Sequence, residues 1–196
     1  LDVVRAGIAR SPGSARLQAL LGVFRVRQGD MEGARAAFQQ AQSLAPETGL
    51  GRIGIASSLM QMGLAADAAK VLREQIVSSG PDPKTELTLA RALLLSDTSS
   101  REAVAILERI VRQEPANAAA RGLLGKALLQ IGNPSRAAVE LAEAIRLDPS
   151  DRTATYQLMT IHKRAGRTKE AAALASKVSQ LLASEKAGEA SSERFE

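Results

Sequence analysis

Residues 118–151 have the sequence AAARGLLGKALLQIGNPSRAAVELAEAIRLDPSD. Gly132 lies where a first helix must stop, because glycine adopts the left-handed conformation of a helix C-terminus without steric cost. Asn133 can cap the helix that follows, and Pro134 fits its first turn. Pro149 ends this second helix, because proline disfavours helix at the residue before it. The stretch therefore predicts a hairpin of two helices.

The same hairpin recurs along the whole chain. Small residues that should lie early in second helices occur at intervals of 34, 35, 34 and 34 residues, at Ala34, Ala68, Ala103, Ala137 and Ala171. Helix-ending positions keep step with them, at Gly29, Gly63, Thr98, Gly132 and Gly166, and again at Pro12, Pro46, Gly80, Pro115 and Pro149. Three series in phase indicate internal repeats, and the extra residue falls near 81–83, where it only lengthens a turn.

Capping signals and small side chains define the second helices further. Asp30, Asn133 and Thr168 are N-cap candidates, and Ser99 with Glu102 can form a capping box. The recurring alanines, such as Ala137, should let two helices approach closely. A larger residue there should wedge the two helices apart.

These residues resemble the tetratricopeptide repeat. One matching segment, residues 15–48, carries Leu21-Gly22, Gly29, Ala34, Phe38, Ala41 and Pro46; the other, residues 118–151, carries Leu124-Gly125, Gly132, Ala137, Leu141, Ala144 and Pro149. The resemblance implies an all-α fold, a right-handed superhelical solenoid of antiparallel helix pairs. We predict the second helix of a truncated repeat over 1–14, five repeats over 15–185 and a polar C-terminal extension over 186–196.

Composition limits the other fold classes. The chain has 196 residues, of which 45% are hydrophobic, 24% charged and only 2% aromatic. It is too apolar to be disordered throughout, and it lacks the β-branched and aromatic residues that a sheet sandwich favours. It has no cysteine, which excludes disulfides and thiolate sites. No apolar run approaches the roughly 18 residues that span a bilayer, so we predict no membrane span.

The family resemblance also predicts where a partner would bind. First helices of successive repeats line a concave groove in this family, and its predicted protein-binding residues are Val23, Val26, Leu50, Ile53, Ser57, Met60, Leu95, Lys126, Leu129, Tyr156, Lys163 and Arg164. The groove is apolar early in the chain and more basic late. Its apolar strip either binds an amphipathic helix or an extended peptide, or packs between neighbouring first helices and never contacts solvent.

We therefore predict a scaffold or adaptor whose partner is another protein or a peptide. The net charge of +5 favours a partner with acidic residues. A regulatory or targeting module of a larger enzyme is the alternative. A nucleic-acid binder, using Lys126, Lys163, Arg164 and Tyr156, is less favoured because single-strand binders usually stack several aromatic rings on bases. The composition suits a GC-rich bacterial genome.

The sequence offers no constellation for catalysis. His162 is the only histidine, and it lies where the family packs an aromatic ring, which favours a packing role. Gly49, Gly51 and Gly54 form a Gly-x-Gly-x-x-Gly string, but it opens a predicted helix and follows no strand, so a dinucleotide site is not indicated. We predict no catalytic residue, no metal and no cofactor, in a protein that is not an enzyme.

The ends of the chain suggest self-association. Residues 1–11 should form a second helix whose first-helix partner is missing, so the native protein should continue upstream. Such a half repeat exposes an apolar face. We predict that this face, together with Phe195 near the other end, can dock on a second copy.

Overall fold

A computed structural model of the chain describes residues 1–96 and 100–192, with side chains except at 47 and 185–192. The described part contains helices and no strand. The helices are α1 (Asp2–Arg10), α2 (Ala15–Arg27), α3 (Met31–Leu44), α4 (Leu50–Gln61), α5 (Ala65–Ser79), α6 (Pro83–Ser96), α7 (Ser100–Gln113), α8 (Ala118–Gln130), α9 (Pro134–Leu147), α10 (Arg152–Arg164) and α11 (Thr168–Ser192). A short 3₁₀ turn, Pro46–Thr48, joins α3 to α4.

The helices form two compact units, Leu1–Ala103 and Val104–Glu196, called the N-terminal and C-terminal units below. In the N-terminal unit, α2 packs on α1, α3 and α4, and α4 packs in turn on α5 and α6. In the C-terminal unit, α8 packs on α9 and α10, and α10 packs on α9 and α11. Each unit therefore stacks successive helix pairs, which confirms the predicted all-α class.

Glycines end the first helices as predicted. The φ angles of Gly29, Gly63 and Gly132 are all +79°, in the left-handed region where a Cβ would be strained. Beyond Gly132, the N–H of Asn133 donates to the carbonyl of Leu128 at 2.8 Å, which satisfies one of the last carbonyls of α8. The chain then reverses direction within a few residues.

Side-chain caps begin several helices. The Asp30 carboxylate accepts a hydrogen bond from the N–H of Gly33 at 2.8 Å, and the Asn133 side chain accepts one from Arg136 at 3.2 Å. These two predicted caps are present. The cap expected at Thr168 is wrong, because α11 already begins with that residue. The predictions for Thr98 and Ser99 lie outside the described residues.

The cores of both units lie between the helices of each pair. Four of the five recurring alanines, Ala34, Ala68, Ala103 and Ala137, are fully buried. Ala171 is only half-buried, since α10 is the one element in the described part of the chain on which α11 packs extensively. Arg121 on α8 reinforces the pair with α9 through a largely buried ion pair with Glu140 at 2.7 Å.

Candidate functional site

An open groove in the N-terminal unit runs between the first helices α2 and α4 and has a volume of about 530 Å³. Val23 and Val26 line it from α2, and Leu50 and Ile53 line it from α4. Val23 is 46% exposed, whereas the other three are half-buried. These four side chains form an apolar strip that is accessible to solvent. The alternative that the strip never contacts solvent is therefore wrong for Val23.

Phe38 of α3 forms the floor of this groove. Its side chain is buried and lies between the two groove helices. A Cβ built on Gly22 of α2 would lie 2.5 Å from Cε1 of this ring, and one built on Gly54 of α4 would overlap the same ring. Both helices can thus approach the ring only because glycine faces it. The glycines set the shape of the groove.

The charged residues that line the N-terminal groove are all basic. Arg16 and Arg27 lie near opposite ends of α2, about 16 Å apart at 1.5 Å per helical residue. Lys84, at the start of α6, is the third. Within the described residues, none of the three forms an ion pair. The groove therefore presents unneutralised positive charge around an apolar centre.

Arginines on the same helices but outside the groove lining behave differently. Arg25 of α2 pairs with Asp30 at 3.8 Å, and Arg52 of α4 pairs with Glu74 at 3.8 Å. Acidic side chains of the protein thus neutralise these outward arginines. The cations at the groove have no such partner in the described part of the chain.

The C-terminal unit has a second cavity, which we call the α9–α10 crevice. It has a volume of about 820 Å³ and opens between the start of α9 and the end of α10. Ala138, Val139 and Ala142 form its α9 wall, and Ile161 and Ala165 contribute from α10. Val139 is 66% exposed, although it is an aliphatic side chain on a second helix. The wall is therefore apolar and accessible.

Polar groups occupy the other side of this crevice. Gln157, His162, Arg164 and Arg167 all belong to its lining, and no acidic residue does so in the part that the structure describes. The Oε1 atom of Gln157 and the Nδ1 atom of His162 are buried without a hydrogen-bond partner among the described residues. The N–H of Arg167 donates to the carbonyl of His162 at 2.9 Å, which fixes the turn after α10.

The structure divides the predicted groove residues between these two places. Val23, Val26, Leu50, Ile53 and Ser57 meet in the N-terminal groove, where the Ser57 hydroxyl donates to the carbonyl of Ile53 at 2.8 Å. Leu129, Tyr156 and Arg164 line the α9–α10 crevice. The remaining predicted residues line neither cavity; they are Met60, Leu95, Lys126 and Lys163.

Met60 and Leu95 differ in their surroundings. Met60 is half-buried, and Leu95 is exposed at the end of α6. The family resemblance placed both residues with the groove, but neither belongs to its lining, which on α4 includes Ser57, Ser58 and Gln61. Their role in binding stays a prediction.

Sequence reasoning missed the α9 wall of the crevice. The binding residues predicted from the sequence lie on first helices, whereas Ala138, Val139 and Ala142 belong to the second helix α9. One signal was present: at the register of Ala142 the first three repeats have Gln39, Arg73 and Glu108, which are long and polar. In the sequence, only the comparison of Ala142 with the corresponding residues of the other repeats indicates the crevice.

The N-terminal helix has one buried and one exposed valine. Val4 of α1 is buried, whereas Val3 is almost fully exposed. The other half of the predicted self-association, Phe195, lies outside the described residues. Self-association through this helix stays a prediction.

The described part of the chain contains neither a candidate metal site nor a candidate membrane-spanning helix. No group of three or more His, Cys, Asp or Glu side chains in residues 1–96 and 100–192 could hold a metal ion. Within the same ranges no helix is long and apolar enough to cross a membrane.

Comparison with known proteins gives the family. Two models described as tetratricopeptide repeat match the chain, one over residues 1–47 and one over residues 94–160. Proteins of this family serve as protein–protein interaction scaffolds, and the fold is typically non-catalytic. No curated protein matches the chain significantly.

Solved structures of the same fold cover most of the chain. MamA from Desulfovibrio magneticus is 22% identical, with a TM-score of 0.70, and the match covers 87% of this chain and 96% of that one. PilF of Pseudomonas aeruginosa is 16% identical, with a TM-score of 0.75 and coverage of 88% and 78%. YrrB, described as a repeat protein of this family with an unusual peptide-binding site, is 17% identical, with a TM-score of 0.61 and 91% coverage of both chains. At these identities the likeness shows the fold alone.

Proposed function

Because the chain belongs to the tetratricopeptide repeat family, we propose that it is a binding module whose N-terminal groove holds a peptide or helix of a partner protein. The observation that carries this proposal is the exposed apolar strip of Val23, Val26, Leu50 and Ile53 over the buried ring of Phe38. Apolar surface that stays accessible in a folded domain commonly marks an interaction site. The peptide-binding site of YrrB is consistent with this use of the fold.

The charges around the groove favour a partner with acidic flanks. Arg16 and Lys84 lie at the starts of α2 and α6, and Arg27 lies at the end of α2. A bound segment with apolar side chains at its centre and Asp or Glu at both ends would match this arrangement. Charge complementarity of this kind accelerates association and selects among partners. About five extended residues would span the 16 Å between Arg16 and Arg27 at 3.3 Å per residue.

A peptide-library screen with a groove variant tests the proposal. We expect the wild-type protein to enrich peptides with an apolar centre and acidic flanks. Val23→Glu should weaken the binding of the enriched peptides by about tenfold or more, because it removes a valine contact and places a carboxylate against their apolar centre. Dissociation constants are measured by fluorescence anisotropy at two salt concentrations. They give the loss of peptide affinity and the part of that loss that is electrostatic.

Val77→Glu is the matched control. Val77 is an exposed valine on the second helix α5, with 87% of its surface accessible, and it lies outside both cavities. It should leave peptide affinity unchanged, and both variants should keep the helical circular dichroism of the wild type. Equal affinity of the wild type and Val23→Glu for every enriched peptide would refute binding at this groove.

A further inference from the structure

We propose that the α9–α10 crevice is a second binding site, which takes an acidic peptide segment of a partner protein through one aliphatic or aromatic side chain. This site lies in the C-terminal unit and uses a second helix as one wall, so it does not depend on the N-terminal groove. Three independent features of the crevice support it: an apolar wall, buried polar atoms without partners and a one-sided positive charge.

The apolar wall includes a local departure from the repeat. At the register of Ala142, repeats two and three place Arg73 and Glu108, which pair with Glu102 and Arg136 at 2.7 Å in each case. Both ion pairs lie on the surface of a second helix. Ala142 has neither the length nor the charge to do so, and Val139 beside it stays 66% exposed. The crevice therefore offers an aliphatic surface where repeats two and three have an ion pair.

The buried polar atoms favour a peptide over a purely hydrocarbon ligand. Gln157 Oε1 can only accept a hydrogen bond, and burying such an atom without a partner is unfavourable. A peptide backbone supplies N–H donors and C=O acceptors next to each apolar side chain, so it can bond to Gln157 Oε1 and His162 Nδ1 once these side chains rotate toward the crevice. The hydrocarbon tail of an amphiphile supplies neither group.

The charges set the orientation of the bound segment. Arg164 and Arg167 lie at the C-terminal end of α10 and in the following turn, and within the described residues neither forms an ion pair. Both are exposed, so a bound carboxylate reaches them without burying a charge. Acidic residues should accordingly lie on one side of the apolar anchor. The N-terminal groove, in contrast, has cations at both ends.

The test isolates the crevice by screening the library on the Val23→Glu background, where the N-terminal groove is impaired. We expect enrichment of peptides that carry one large apolar residue with Asp or Glu on a single side. The double variant Val139→Ser, Ala142→Gln should lower the affinity for these peptides by about tenfold or more. The serine removes the aliphatic contact, and the glutamine introduces the residue type that repeat one has at this register, Gln39. The double variant Arg164→Gln, Arg167→Gln should lower the affinity for these peptides and make that affinity less dependent on salt concentration.

Val77→Ser controls for the loss of an exposed valine elsewhere, and it should leave the affinity unchanged. Enriched peptides that bind the Val139→Ser, Ala142→Gln variant as tightly as its parent would overturn the proposal, and so would the absence of any enrichment. A third result would also overturn it: binding of dodecanoate at the crevice without binding of any peptide, which would indicate a small anionic amphiphile instead. If Val23→Glu weakens the binding of groove peptides, that result concerns only the N-terminal groove. It neither supports nor contradicts binding at the crevice.

Discussion

Replacing Phe38 with alanine is expected to lower the free energy of unfolding of the N-terminal unit by about 3–5 kcal/mol. The ring is almost completely buried, and Gly22 and Gly54 lie against it from the two groove helices. Because both positions are glycine, no neighbouring side chain can move in to fill the volume that the ring leaves. The cavity would therefore persist, and the upper part of the range applies. Urea unfolding followed by circular dichroism measures the loss.

Phe24→Ala is the control for this prediction. Phe24 lies on α2 and is only half-buried, so its replacement should cost clearly less than that of Phe38. Hydrogen exchange should locate the Phe38→Ala effect in α2, α3 and α4, because each repeat contacts mainly its neighbours. If the two variants lose the same stability, Phe38 is not the packing centre inferred here. Phe38→Ala should also weaken groove peptides, since the ring is the floor of the groove.

The fold could be predicted from the sequence because its determinants are local. Gly29 and Gly132 require a positive φ angle, Asp30 and Asn133 cap the helix that follows, and these signals recur with one period. None of them depends on distant parts of the chain. The predicted N-cap position at Thr168 differs by one residue from the observed start of α11, which is within the usual uncertainty of a helix boundary.

The binding surface could be predicted only in part, because exposure depends on which neighbours approach. The geometry that the family resemblance implies placed Val23 and Ile53 together, and both line the N-terminal groove. The resemblance did not show that Met60 would be half-buried outside the groove lining, although its neighbour Gln61 belongs to that lining. The crevice beside Val139 includes Ala142, and the sequence indicates it only at that one register, where the first three repeats have long polar side chains.

The second large stability effect is expected at the recurring alanines. Ala137→Leu should lower the free energy of unfolding of the C-terminal unit by about 1–3 kcal/mol, because added methylenes overpack a closed contact. Ala137 is fully buried on α9, and a Cβ built on Gly125 of α8 would lie 3.4 Å from its carbonyl oxygen. The same Cβ would lie 2.5 Å from Cγ of Leu141. The two helices are thus in close contact at this point, and a leucine can fit only if they move apart.

Ala142→Leu on the same helix separates overpacking from helix propensity. Ala142 is exposed, so the same substitution there should change the free energy of unfolding by less than about 0.5 kcal/mol. Thermal unfolding of both variants gives the comparison, and near equality would mean that α8 and α9 can separate at little cost. A large loss at Ala137 alone would explain the repeated alanine physically, because the period of the sequence is then the period of the close helix contacts. The proposed partner sites occupy surfaces that those contacts leave open.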